Sequence, residues 1–132
     1  MEKMLIKKAM EAQDKAYSPY SGYCVGAALL TKDGRIFQGC NIENASYGAT
    51  NCAERTAVFK AVSEGCKEFA VIAIVGGKSS EFSEYAYPCG ICRQVLQEFC
   101  DGDFKVIVAK NTEDFKVYSF NELLPYRFEG KK

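Results

Sequence analysis

Three cysteines stand where chemistry favours a thiolate. Cys52 opens the run Cys52-Ala53-Glu54, and Cys89 and Cys92 open the run Pro88-Cys89-Gly90-Ile91-Cys92; both read as helix starts. A helix N-terminus presents unpaired N–H groups and the positive end of the helix dipole. Both favour thiolate over thiol, and the thiolate is the species that binds zinc. The i, i+3 spacing of Cys89 and Cys92 puts their sulfurs on one helical face. A structural zinc is closed by four protein ligands, whereas a catalytic one keeps a position for water. Three thiols with a carboxylate, Glu54, two residues from the first therefore point to a hydrolytic centre. The metal would acidify a water, and Glu54 would take the proton and pass it on. Three thiolates around one dication leave the cluster negative, so a counter-charge is expected. Arg55 is the first candidate, bonded to a thiolate sulfur, and Arg93 the second.

Each part has a plainer reading. A CxxC pair alone serves equally as a redox pair or as half of a structural zinc site, and Asn51-x-x-Glu54 has the spacing of a capping box. The combination favours the catalytic metal: Cys-x-Glu at one helix start, Pro-Cys-x-x-Cys at the next, and no histidine. The missing histidine also excludes a Ser-His-Asp triad, a Cys-His pair and an HExxH site. Of the seven cysteines, Cys24, Cys40, Cys66 and Cys100 are expected to be buried and inert. Cys100, about two turns beyond Cys92, is a fourth ligand only if the helix breaks first.

The elements that must position these groups follow from periodicity and turn residues. Apolar residues at helical spacing predict a first helix to about Ala16. Tyr23–Thr31 and Ile36–Ile42 read as strands joined by an Asp33-Gly34 hairpin turn. Cys52–Glu64 reads as a helix closed by Gly65. Phe69–Val75 is almost wholly apolar, as a central strand covered on both faces requires. A loop, Gly76–Tyr87, leads to a helix opened by Pro88 and running to about Phe99. Strands follow at Phe104–Ala109 and Phe115–Tyr118. Ser119-x-x-Glu122 is a capping box for a short last helix that Pro125 stops. The order αββαβαββα predicts an α/β fold, a three-layer α-β-α arrangement around a mixed five-stranded sheet.

The 132 residues suit a single domain spanning 1–132, and 48% hydrophobic residues suffice to order it. Seventeen basic and seventeen acidic residues cancel, which argues against a polynucleotide partner. No signal peptide is visible, and the longest apolar run is far too short to span a bilayer, so no membrane partner and a cytoplasmic location are expected.

Cys52-Ala53-Glu54-Arg55 and Pro88-Cys89-Gly90-Ile91-Cys92-Arg93-Gln94 together resemble the zinc-dependent cytidine deaminase family. The likeness extends from Pro19-Tyr20-Ser21 through Val25-Gly26-Ala27-Ala28-Leu29 and Cys40-Asn41-Ile42-Glu43-Asn44 to Glu122-Leu123-Leu124-Pro125. It is to the short, homotetrameric kind that binds zinc with three cysteines. The resemblance implies one Zn2+ per subunit and hydrolysis of free cytidine, and of 2'-deoxycytidine, in pyrimidine salvage, with Glu54 shuttling protons from water to N3 and then to the departing amino group. Asn41 and Glu43, two apart and so on one face of a strand end, would hold the ribose. Backbone N–H groups of Ala53 and Glu54 would meet the base edge. Tyr23 stands where the family typically has Phe beside the nucleoside. Ile91 stands where Ala is usual. Tyr47 and Phe128 match positions that reach a neighbouring subunit's site, where Phe128 would stack on the base. A deaminase of another cytosine nucleoside, such as blasticidin S, and a non-catalytic zinc or thiol module are the rival functions.

Overall fold

The computed structural model describes residues 1–78 and 84–130. Part of the expected loop before Pro88, residues 79–83, and the terminal Lys131 and Lys132 lie outside them. The elements run α1 (Glu2–Gln13), β1 (Tyr23–Thr31), β2 (Ile36–Cys40), a 3-10 turn (Tyr47–Ala49), α2 (Ala53–Ser63), β3 (Phe69–Lys78), α3 (Gly90–Phe99), β4 (Lys105–Ala109), β5 (Phe115–Ser119) and α4 (Phe120–Leu123). One sheet of order β2-β1-β3-β4-β5 holds the five strands, all antiparallel to their neighbours except β3 and β4, which run parallel through the crossover helix α3. This is the expected mixed sheet in an α-β-α sandwich.

Strand alternation divides the core into two. Ile72, Ile74, Val106 and Val108 point to the face covered by α2, α3 and α4, where they meet Ala57, Val58, Leu96 and Phe120. Ala73, Val75, Ile107 and Ala109 point to the other face and pack on Leu5, Ile6 and Ala9 of α1. Two glycines let helices settle onto β1 and β2. A Cβ at Gly26 would collide with the backbone of Ala9 and Gln13, and one at Gly39 with the backbone of Ala53 and Ala57. The second contact presses the first turn of α2 against the sheet.

Several boundaries differ from expectation. α1 ends at Gln13 because the amides of Asp14, Lys15 and Ala16 bond three residues back, a tighter turn. β2 ends at Cys40; Ile42 continues only as isolated bridges to Tyr17 and Asn51. β3 runs on through Gly76 and Gly77 to Lys78, since all three pair with β1 at Val25, Cys24 and Tyr23. α3 starts at Gly90, two residues after Pro88, because Cys89 is extended and serves as the N-cap. The expected caps are present: Ser119 and Glu122 form a capping box. Gly65 (φ +90°) closes α2, with Cys66 N–H donating to Ala61 O at 2.9 Å and Gly65 N–H to Val62 O at 2.9 Å.

Candidate metal centre

The sulfurs of Cys52, Cys89 and Cys92 converge. They lie within 4.8 Å of one another, and those of Cys52 and Cys89 are 3.8 Å apart. Local geometry explains the convergence. Cys52 and Cys89 are the N-caps of α2 and α3, and the Cys89 sulfur accepts a hydrogen bond from Cys92 N–H at 3.4 Å. Cys92 is buried inside the first turn of α3, Cys52 is half-buried and Cys89 is exposed. Zinc–sulfur bonds of about 2.3 Å in tetrahedral directions require sulfurs roughly 3.8 Å apart, so the residues fit the ion. No other cluster of potential ligands occurs among the described residues. Cys100, the C-cap of α3, lies outside it, and burial pushes its thiol up to about 12.

The electrostatics are those of a site built for negative charge. A hydrogen bond from Cys92, with help from Arg55 and Cys89, draws the Cys52 thiol down to about 5, against the opposing effect of burial. The same contact with Cys52, together with burial, raises Cys92. The two thiols thus titrate as a pair, with the charge favoured on the Cys52 sulfur. Arg55 donates from Nη2 to the Cys52 sulfur at 3.3 Å, where a counter-charge is needed. Arg93 does not join it. Its Nε donates to Pro88 O at 2.8 Å and its Nη1 to Leu123 O at 2.6 Å, which ties α3 to α4.

Glu54 is 4% exposed. Burial, with the Cys52 charge nearby, pushes its carboxyl up to about 7. The capping-box alternative fails at its partner: α2 is capped by Cys52, and Asn51 Nδ2 donates to Thr56 Oγ1 at 3.0 Å.

A cavity of about 260 Å³ opens over this cluster, lined by Tyr23, Asn41, Cys52, Ala53, Glu54 and Cys89 among others. Asn41 is buried and half committed: its Oδ1 accepts from Val25 N–H at 2.9 Å and its Nδ2 donates to Tyr23 O at 2.8 Å. One N–H and one lone pair remain. Burial raises the Tyr23 hydroxyl, with Glu84 as the second cause. Glu43 and Tyr47 line an adjoining cavity of about 400 Å³, which meets the first at Thr50. The Glu43 carboxylate accepts from Tyr20 N–H at 2.9 Å, Ser21 N–H at 3.1 Å and the Ser21 hydroxyl. Phe128 and Tyr47 are the outliers, 75% and 79% exposed; the Phe128 carbonyl accepts from Gln94 Nε2 at 3.1 Å. Ile91 is also exposed.

Two expectations about the remaining thiols need correction. Cys66 and Cys100 are buried, but Cys24 and Cys40 are only half-buried. The Cys24 sulfur, near the start of β1, lies 3.0 Å from Ser18 Oγ, and the Cys40 sulfur, at the end of edge strand β2, lies 3.4 Å from Lys15 O. Sequence reading also missed Tyr85, Ala86 and Tyr87, which form one cavity wall. Their place just ahead of Pro88-Cys89 was the available signal.

An α/β sandwich that clusters three thiols and a buried carboxylate beside one cavity has the make-up of a metal-dependent hydrolase. Residues 1–110 match the cytidine and deoxycytidylate deaminase zinc-binding region. The chain is 51% identical to a cytidine deaminase of Halalkalibacterium halodurans over 128 residues, 97% of this chain and 94% of the relative. The crystal structure of cytidine deaminase from Burkholderia pseudomallei superposes with a TM-score of 0.85 at 49% identity, covering 95% of this chain and 97% of that one. A blasticidin-S deaminase of Bacillus cereus is more distant, 33% identical over 108 residues, 79% of this chain and 76% of that protein. The chain belongs to the cytidine and deoxycytidylate deaminase family.

Proposed function

We propose that this chain hydrolyses free cytidine, and 2'-deoxycytidine, to uridine and ammonia, working in nucleoside salvage. The observation that carries the reading is Glu54, a carboxyl buried beside three sulfurs within 4.8 Å of one another. Cys52, Cys89 and Cys92 would hold one Zn2+ per subunit, which when bound would supply an acidified water as nucleophile near neutral pH. Glu54 takes a proton from that water and delivers it to N3 of the pyrimidine. The water oxygen bonds to C4. Glu54 then moves a second proton, taken from the hydroxyl now on C4, to the amino group; the C4–N bond breaks as C4=O forms, and ammonia leaves. In the metal-free site burial raises this carboxyl above the ordinary carboxylate range, a direction that suits a group which must hold a proton between two transfers. Arg55 offsets the negative charge of the thiolates and keeps the metal electrophilic.

Asn41 and Glu43 hold the ribose hydroxyls, Asn41 through its free N–H and lone pair. The Ala53 and Glu54 N–H groups, at the start of α2, meet the base edge. Tyr23 closes the side of the nucleoside cavity. Tyr47 and Phe128, both largely exposed, serve a neighbouring subunit's site in a homotetramer, with Phe128 stacking on the base. A single catalytic domain across 1–132 and a cytoplasmic location belong to this reading, since a three-thiolate centre needs a compartment that keeps cysteines reduced. Among the described residues no helix is long and apolar enough to cross a membrane.

The test is conversion of free cytidine by the purified protein, read by loss of ultraviolet absorbance and by ammonia release. Uridine formation that stops on stripping zinc and returns on adding it is expected. A folded, zinc-loaded protein that leaves cytidine untouched would overturn the reading.

A further inference from the structure

Residues 84–88 form a strap that the deamination chemistry leaves unexplained. The chain bridges Gly76 at Glu84 and passes through Tyr85, Ala86 and Tyr87 to Pro88 and Cys89. Ala86 is buried against the sheet: a Cβ at Gly76 would lie 2.7 Å from the Ala86 Cβ and 3.1 Å from the Tyr23 hydroxyl. Tyr85 and Tyr87, at the alternate positions of an extended segment, engage the β4–β5 hairpin instead. The Tyr85 hydroxyl donates to Asp114 Oδ1. The ring of Tyr85 lies 4.8 Å from Lys110 Nζ and 4.6 Å from Lys116 Nζ, a double cation–π contact. The Tyr87 and Tyr118 hydroxyls share a hydrogen bond of 2.9 Å, and their ring centroids are 5.8 Å apart.

The hairpin end of this clasp is itself fixed. Lys110 N–H donates to Asp114 O at 2.9 Å, and Asn111 Oδ1 accepts from Asp114 N–H at 2.8 Å. The strap end leads directly to Cys89, the most exposed of the three cysteines; on the α3 side its sulfur accepts from Cys92 N–H and its carbonyl from Arg93 N–H at 2.9 Å, so α3 fixes one flank of Cys89 and the strap the other.

We propose that Tyr85 and Tyr87 are positioning residues for the metal centre: the β4–β5 hairpin clasps the strap, and the strap brings Cys89 to the other two sulfurs. The proposal rests on the reading of Cys52, Cys89 and Cys92 as zinc ligands. It also gives β5, an edge strand far from Cys89 in sequence, a part in setting the site.

The experiment measures zinc affinity by competition with a chromophoric chelator, and the thiolate charge-transfer band of the cobalt(II)-loaded protein. Neither readout requires turnover. Tyr85→Ala and Tyr87→Ala are expected to weaken zinc binding about tenfold each and to diminish the cobalt band. Tyr85→Phe, which keeps the ring beside both lysines, should recover most of the affinity. Phe59→Ala, which removes an exposed aromatic of α2, should keep wild-type affinity. Wild-type affinity and cobalt spectrum in Tyr85→Ala would overturn the proposal. If Tyr85→Ala does not fold, the double variant Lys110→Ala/Lys116→Ala, which strips both cations from the Tyr85 ring, decides: weakened zinc binding supports the clasp and unchanged binding overturns it. Undiminished zinc binding by Cys89→Ser would overturn the ligand assignment itself, a result distinct from failure of the clasp.

Discussion

Replacing Glu54 with glutamine separates what the carboxyl does for chemistry from what it costs the fold. Glutamine has nearly the same shape but cannot ionise or carry the proton. For the metal-free protein the magnitude follows from burial, which moves the carboxyl from 4.5 to about 7. That difference corresponds to about 3 kcal/mol against the ionised form in the fold. The folded state binds the proton more tightly than the unfolded state. The associated stability is therefore fully present below about 4.5 and is lost as pH rises through about 7. Metal-free Glu54→Gln should match wild type near the lower limit and exceed it by about 3 kcal/mol at mildly alkaline pH, as read from urea denaturation across that range. In the zinc-loaded protein the same change should lower cytidine turnover by about 10⁴-fold, roughly 5 kcal/mol of barrier, with zinc content unchanged. A variant no more stable than wild type at alkaline pH would refute the burial argument, and one that keeps its turnover would refute the proton carrier.

Arg55→Gln should lower kcat about tenfold and, in metal-free protein, shift alkylation of Cys52 to higher pH, because the guanidinium helps hold that thiol down; an unmoved alkylation profile would count against the contact. Glu43→Gln should raise the KM for cytidine about tenfold with little change in kcat. Hydrogen bonds from Ser21 hold the Glu43 carboxyl below its ordinary value, so the wild-type KM contribution persists through weakly acidic pH and is lost only as pH falls through that lowered value; steady-state kinetics against pH checks both. Gly39→Ala should cost about 3 kcal/mol or prevent folding, since its Cβ would strike the backbone of Ala53 and Ala57 at the start of α2; a urea midpoint like wild type would refute the close packing.

What could be read from sequence was what local chemistry determines. Alternation, the Asp33-Gly34 turn, the Gly65 stop and the Ser119 capping box gave the order of elements and the five strands, because each depends on residues a few positions apart. Cys52, Glu54, Cys89 and Cys92 were legible for the same reason: each stands within a turn of a helix start. β3 was cut short at Val75 because Gly76 and Gly77 look like loop, and only pairing with Cys24 and Val25 of β1 keeps them extended. Arg93 was misassigned because its neighbour in sequence is Cys92, while its partners, Pro88 O and Leu123 O, are set by how α4 returns over α3.

The same division runs through the substrate side. Asn41 and Glu43 share an extended segment, as their spacing implies, yet they open into two cavities that meet at Thr50. Asn41 is pinned to β1 by two hydrogen bonds, whereas Glu43 is gathered in by the Tyr20-Ser21 loop. On the proposed function, a nucleoside that touches both would lie across the junction, with its base toward Glu54 and its sugar toward Glu43. That orientation points the sugar toward the open side beside Tyr47 and leaves the base bounded on the far wall by Tyr85, Ala86 and Tyr87. Under the proposed function the strap tied to β5 would face both the base and Cys89, so a change there would reach substrate and metal together. Changes at the more distant Glu43 would reach the substrate alone. Measuring KM and zinc affinity side by side distinguishes these two kinds of residue.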